Sequence, residues 1–132
     1  MYSLLIGILN NSTNTSFVNM ELTSETVKNI NCFDVISYLN VFHHIVHFKG
    51  FEEADNIMNV LYKKTNTYFI FETGQYNEKG HYWTNDLSFM EDTPIKWIIE
   101  YLNKIGFYDV KLIKKFKTHL GDEERGFFIC TK

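Results

Sequence analysis

Cysteine occurs only twice in this chain, as Cys32 and Cys130, and no C-x-x-C pair is present. That spacing argues against a disulfide framework or a zinc ribbon and suits buried, reduced thiols in a cytoplasmic protein. Glycine is also sparse. Its seven positions, 7, 50, 74, 80, 106, 121 and 126, nowhere fall into the close G-x-G spacing that lets backbone crowd a ligand after a strand. Positive charge is not concentrated either: the net charge is −3, the pI is about 5.9 and no dense lysine or arginine block occurs. A field that would gather nucleic acid is therefore absent. No apolar run approaches the roughly 20 residues needed to cross a bilayer. The apolar stretch Tyr2–Leu9 lacks the basic flank and the small-residue cleavage site of a signal peptide. Without such a signal, the acceptor patterns at Asn11 and Asn14 have no route to glycosylation.

What is present is apolar and aromatic. With 132 residues, 45% of them hydrophobic and 17% aromatic, the chain can build one core, and residues 1–132 are read as a single domain. Phe17–Leu22 alternates enough to predict a strand, and Thr23 to Lys28 opens with capping residues suited to a short helix. Phe33–Leu39 is a β-branched and aromatic run, hence a strand, and the polar, histidine-rich stretch after it reads as a turn. From Phe51 to Lys64, Ala54, Ile57, Met58 and Leu61 recur at helical spacing, with Glu52 and Glu53 in the first turn and Lys63 and Lys64 in the last, as the helix dipole favours. Thr67–Glu72 predicts a buried strand. A long irregular segment, 75–90, follows. Pro94 then opens a helix through about Lys104, with Ile95, Ile98, Ile99 and Leu102 on its apolar face, and Gly106 closes it. Phe107–Ile113 and Gly126–Thr131 are two further strands, near enough in sequence for an antiparallel pair.

One stretch carries chemistry. The strand ending at Leu39 runs into Asn40 and then Val41-Phe-His-His-Ile-Val-His-Phe-Lys-Gly50. In open α/β sheets the crevice beyond the carboxyl ends of the strands is where ligands sit. This fragment resembles the fourth-strand motif of class I S-adenosylmethionine-dependent methyltransferases. It is similar in particular to the methyltransferase domain of bacterial bifunctional methyltransferase-kinases that cap O-antigen polymannose chains. The resemblance extends to the acidic strand end at Glu72, followed shortly by Tyr82-Trp83. It spans nearly all of this chain but only the later part of the family domain. What it implies is an α/β fold with a Rossmann-like methyltransferase sheet, N-terminally truncated and ending in an antiparallel strand pair, with Tyr2–Leu9 helical.

The resemblance also implies a set of site residues. Glu21 and Leu22 stand where the family places its adenine contacts, and Tyr38, Asn40 and Val41 where it lines the cofactor, S-adenosylmethionine. Phe42 would pack beneath. His44 would face cofactor or acceptor, where an imidazole can orient an oxygen nucleophile or take its proton, which makes it the catalytic candidate. His47, Glu72, Tyr82 and Trp83 would contact the substrate, because aromatic walls with a carboxylate suit a small polar or carbohydrate-linked acceptor. Each of these residues also has a plain structural reading, as a solvated strand end, a hydrogen-bonded histidine or a core aromatic. His43, His44 and His47 do not make a metal site, because no HExxH, cysteine or paired carboxylates supply the remaining ligands.

Two function classes follow. The first is a methyltransferase or the later portion of one. The second is an inactive methyltransferase-like interaction module that lacks the glycine-rich cofactor loop. The truncated sheet leaves an apolar edge, for which self-association or a partner chain is expected.

Overall fold

The computed structural model describes residues 15–118 and 121–132. Tyr2–Leu9 and the pattern at Asn11 lie outside the described residues, as does Asn14 of the second pattern. In chain order the elements are helix α1 (Ser24–Val27), strand β1 (Phe33–Leu39), helices α2 (Phe42–Lys49) and α3 (Phe51–Lys64), strand β2 (Thr65–Glu72), a 3-10 helix (Thr84–Met90), helix α4 (Pro94–Ile105) and strands β3 (Asp109–Lys117) and β4 (Glu124–Thr131). They form a mixed α/β domain around one four-stranded sheet of order β1-β2-β4-β3. β1 and β2 run parallel, whereas β4 is antiparallel to both β2 and β3.

Register decides which face carries the core. Ile36 and Tyr38 of β1 pair with Phe69 and Phe71 of β2, these with Cys130 and Phe128 of β4, and those with Val110 and Leu112 of β3. This row packs against Ile57, Met58 and Leu61 of α3 and Ile98 and Leu102 of α4 in one cluster. Because strand side chains alternate, Phe33, Val35, Leu39 and Tyr68 turn to the opposite face, where they are exposed. Among the described residues, β1 pairs with β2 alone and forms an edge of the sheet.

Two elements differ from the sequence reading. Phe17–Leu22 is not a strand but irregular backbone, since an extended segment becomes a strand only when a neighbour completes its hydrogen-bond ladder. The stretch after Asn40 is not a turn but helix α2, held by the burial of Phe42, His43 and Val46 on one side. Gly50, at φ 87, separates α2 from α3 by one residue, in a left-handed conformation that glycine tolerates.

Candidate functional site

The parallel pair sets the site. Leu39 lies opposite Glu72, so β1 and β2 end side by side, and the Asn40 N–H donates to the Glu72 carbonyl at 3.1 Å. Asn40 turns the chain at φ 58, a left-handed conformation that asparagine tolerates better than most residues. At this double strand end Arg125 enters from β4. Its Nε donates to both oxygens of Glu78 at 2.8 and 2.9 Å, and its Nη1 to Glu72 Oε1 at 2.8 Å and Asn40 Oδ1 at 2.9 Å.

Arg125 is only 4% exposed, and Glu72 and Glu78 are buried with it. Burial works against the guanidinium charge, but the hydrogen bonds to Glu78 and Glu72 outweigh it and hold Arg125 above its ordinary pKa. The cluster holds two carboxylates against one cation. It thus places surplus negative charge beside the strand ends, which suits a cationic ligand group.

Trp83 forms the next layer. It is buried, stacks on His81 at 5.1 Å, meets His43 edge-on at 4.5 Å, and lies under the Arg125 guanidinium at 5.7 Å. Gly74 makes this closeness possible: a Cβ there would come within 2.7 Å of the Trp83 ring and 2.9 Å of His43. His43 is 1% exposed, and its Nδ1 accepts the Gly74 N–H at 2.9 Å with the Thr73 hydroxyl at 3.2 Å. Burial first, then the neighbouring His44, Arg125 and His81, push its pKa down to about 3, so it is a neutral interior group.

The rim is histidine and tyrosine, with His44 and His47 half-buried and Tyr82 exposed. His44 Nδ1 and the Tyr82 hydroxyl are 3.1 Å apart, and His47 Nδ1 lies 2.6 Å from Asp86 Oδ2. The pKa of His44 is lowered by partial burial and then by Arg125 and His47. A cavity of about 710 Å³ is lined by Gln75 and Asn77 from the segment after β2, Pro94 and Ile99 of α4, and Lys115 and Glu124 of the β3–β4 hairpin. Gln75 ties that cavity to the buried cluster, since its N–H donates to Glu78 Oε1 at 2.7 Å.

The expected residues are thus divided among four places. Asn40 and Glu72 meet through Arg125, with Val41 half-buried beside Asn40 at the start of α2. His44, His47 and Tyr82 come together on the rim. Glu72 and Trp83 are interior, the first bound to Arg125 and the second enclosed by rings, while Tyr38 sits in the core against Phe69 and Phe71. Glu21 and Leu22 lie in the irregular segment before α1, where Glu21 pairs with Lys49 at the far end of α2. Among the described residues, no group of three or more His, Cys, Asp or Glu side chains could hold a metal ion.

Sequence reasoning missed Arg125, Glu78 and Asp86. Arg125 had one available signal, as the single arginine in a chain with twelve lysines.

No protein-family description and no curated protein matches the chain. Solved structures do. The crystal structure of WbdD aligns with a TM-score of 0.76 and 25% identity, covering 96% of this chain and 26% of that chain. WbdD with the kinase inhibitor LY294002 aligns with a TM-score of 0.75 at 25% identity, covering 96% of this chain and 27% of the other. A further WbdD structure, described as a bifunctional kinase-methyltransferase, gives 0.75 and 25%, covering 96% and 26%. The chain therefore spans about a quarter of the length of the solved chains it matches, and it has a methyltransferase-like fold related to that of WbdD.

Proposed function

We propose that this Rossmann-like sheet end is part of an S-adenosylmethionine-dependent methyltransferase site acting on a small polar or carbohydrate-linked acceptor. The observation that carries this reading is the convergence of Asn40, Glu72 and Arg125 at the paired carboxyl ends of two parallel strands, where α/β sheets bind ligands.

The residues present fit one wall of a cofactor site. Leu39 and Asn40 are exposed at the strand end, and the buried acidic surplus behind them suits a sulfonium. Leu39, Asn40 and Val41 would hold the cofactor, which supplies an electrophilic methyl group when bound. His44, His47 and Tyr82 form the rim on which an acceptor would sit. Aligning that acceptor and shielding it from water is what the protein itself adds.

Calorimetric titration with S-adenosylmethionine and S-adenosylhomocysteine tests the proposal. Saturable binding that is lost in Asn40→Ala supports it. Absence of binding at high ligand concentration sinks it for this chain.

A second reading draws on a different observation. The β1 edge and its neighbouring face expose Phe33, Val35, Leu39 and Tyr68, and an open apolar edge is a template for pairing. A methyltransferase-like interaction module that pairs through β1, with a second copy or another chain, is the reading that remains if the cofactor does not bind.

A further inference from the structure

The two half-buried histidines of α2 are held in different ways. His47 Nδ1 lies 2.6 Å from Asp86 Oδ2. An ionised carboxylate can only accept, so Nδ1 carries the proton and, in the neutral ring, Nε2 carries the lone pair. Asp86 is well anchored. Its N–H donates to the Trp83 carbonyl at 3.1 Å, and Trp83 is locked in the interior by His43, His81 and the absent side chain of Gly74.

His44 instead has its Nδ1 engaged with the Tyr82 hydroxyl at 3.1 Å, and its surroundings disfavour the charged ring. The His47 ring is bordered by aromatic groups, Tyr82 edge-on at 4.9 Å and Phe48 at 4.7 Å. Tyr82 and Phe48 are both exposed, so a ligand can reach this notch.

We infer that Asp86 and His47 form a preset general-base pair, in which His47 Nε2 takes the proton of a hydroxyl-bearing ligand seated against Tyr82 and Phe48. The inference deepens the methyltransferase reading and rests on it for the fate of the ligand. In the step, the ligand O–H bond breaks as an N–H bond forms at Nε2. The oxygen keeps the electron pair and would bond the methyl carbon as the donor's carbon–sulfur bond breaks, that bond's pair staying on sulfur to leave a neutral thioether, and the imidazolium later returns its proton to solvent. Asp86 is a positioning residue in this scheme. The titratable groups facing His47 are Asp86 and Tyr82 from the segment after β2 and His44 from its own helix.

The test does not depend on methyl transfer. Long-range ¹H–¹⁵N correlation spectra of the histidine rings, recorded on the full chain above pH 8 with His47→Gln for assignment, report each tautomer directly. The expected result is His47 protonated at Nδ1. Asp86→Ala, which removes the acceptor facing Nδ1, should let His47 relax to the Nε2–H form that a free imidazole favours. It should also slow carbethoxylation of His47 by diethyl pyrocarbonate about threefold or more, a loss of the order of one hydrogen bond's preference between the two tautomers. An Nε2–H tautomer in the unmodified chain, or the same tautomer and reactivity in Asp86→Ala, overturns the inference. Failure to bind S-adenosylmethionine would overturn the methyltransferase reading instead, and leaves these spectra to decide the base pair by themselves.

Discussion

Replacing Arg125 with methionine removes the one cation that two buried carboxylates share. In the folded chain Glu72 and Glu78 are 6% and 4% exposed, and each takes at least one charge-assisted hydrogen bond of 2.8 Å from Arg125. Methionine fills similar volume but donates nothing. The substitution therefore isolates the electrostatic loss from the cavity term. Breaking a buried ion pair by deleting one partner costs about 3–5 kcal/mol, because it strands a charge away from water. Two stranded carboxylates put Arg125→Met at the upper end of that range, a large part of the 5–15 kcal/mol that holds a typical domain folded. The corresponding fall in midpoint is about 10–20 °C for a chain of this size.

Urea unfolding followed by circular dichroism measures the change, with Glu72→Gln/Glu78→Gln built into Arg125→Met as the compensated partner. The triple variant should recover more than half of the loss, since neutral amides tolerate burial better than carboxylates. Arg125→Lys should recover little, because an ammonium cannot reproduce the planar fork that reaches Glu72, Glu78 and Asn40 together. A loss below about 1 kcal/mol in Arg125→Met, or a triple variant no more stable than the single, would refute the view that this network is a desolvated charge cluster.

The remaining predictions concern its surroundings. His43 has its folded pKa depressed to about 3 against an ordinary 6.5, so the stability it contributes is fully present above pH 6.5 and is lost as pH falls through the interval toward 3. Between pH 6.5 and 4 the loss from this one group is about 3 kcal/mol. Urea melts of the unsubstituted chain should show that slope, and His43→Gln should flatten it. Gly74→Ala drives a methyl into Trp83 and should destabilise by about 1–3 kcal/mol, with a shift in tryptophan fluorescence as the indole is displaced. Light scattering after size exclusion should find associated species formed through the β1 edge. Val35→Lys should move them toward monomer, and an unsubstituted chain that is monomeric throughout would remove the basis for edge pairing.

The elements legible in the sequence are those whose signals are local. Phe51–Lys64 carries its apolar stripe, its acidic first turn and its basic last turn within fourteen residues, and the helix has those bounds. Pro94 and Gly106 bracket α4 in the same way, since one fits the first turn and the other the residue past the end. Phe33–Leu39 shows strand composition on its own. By contrast, α2 was hidden because His43, His44 and His47 mask the apolar pair Phe42 and Val46 that buries it. Phe17–Leu22 has the right alternation, but whether a segment becomes a strand depends on a neighbour that no local pattern contains. The site follows the same division. Asn40 and Glu72 could be found because both follow from strand ends. Arg125 lies 53 residues from Glu72 and 47 from Glu78, so its role exists only in the folded chain. Tyr38 is turned by strand alternation into the core against Phe69 and Phe71, a placement that depends on the neighbouring strand.

Chemical-shift mapping with S-adenosylhomocysteine on ¹⁵N-labelled chain decides whether the joined ends of β1 and β2 face a cofactor. Perturbations are expected at Leu39 to Val41, at Glu72 to Gly74, and at the Arg125 side chain. Perturbations confined to the cavity between Pro94 and Lys115, or none at saturating ligand, would contradict a cofactor site there.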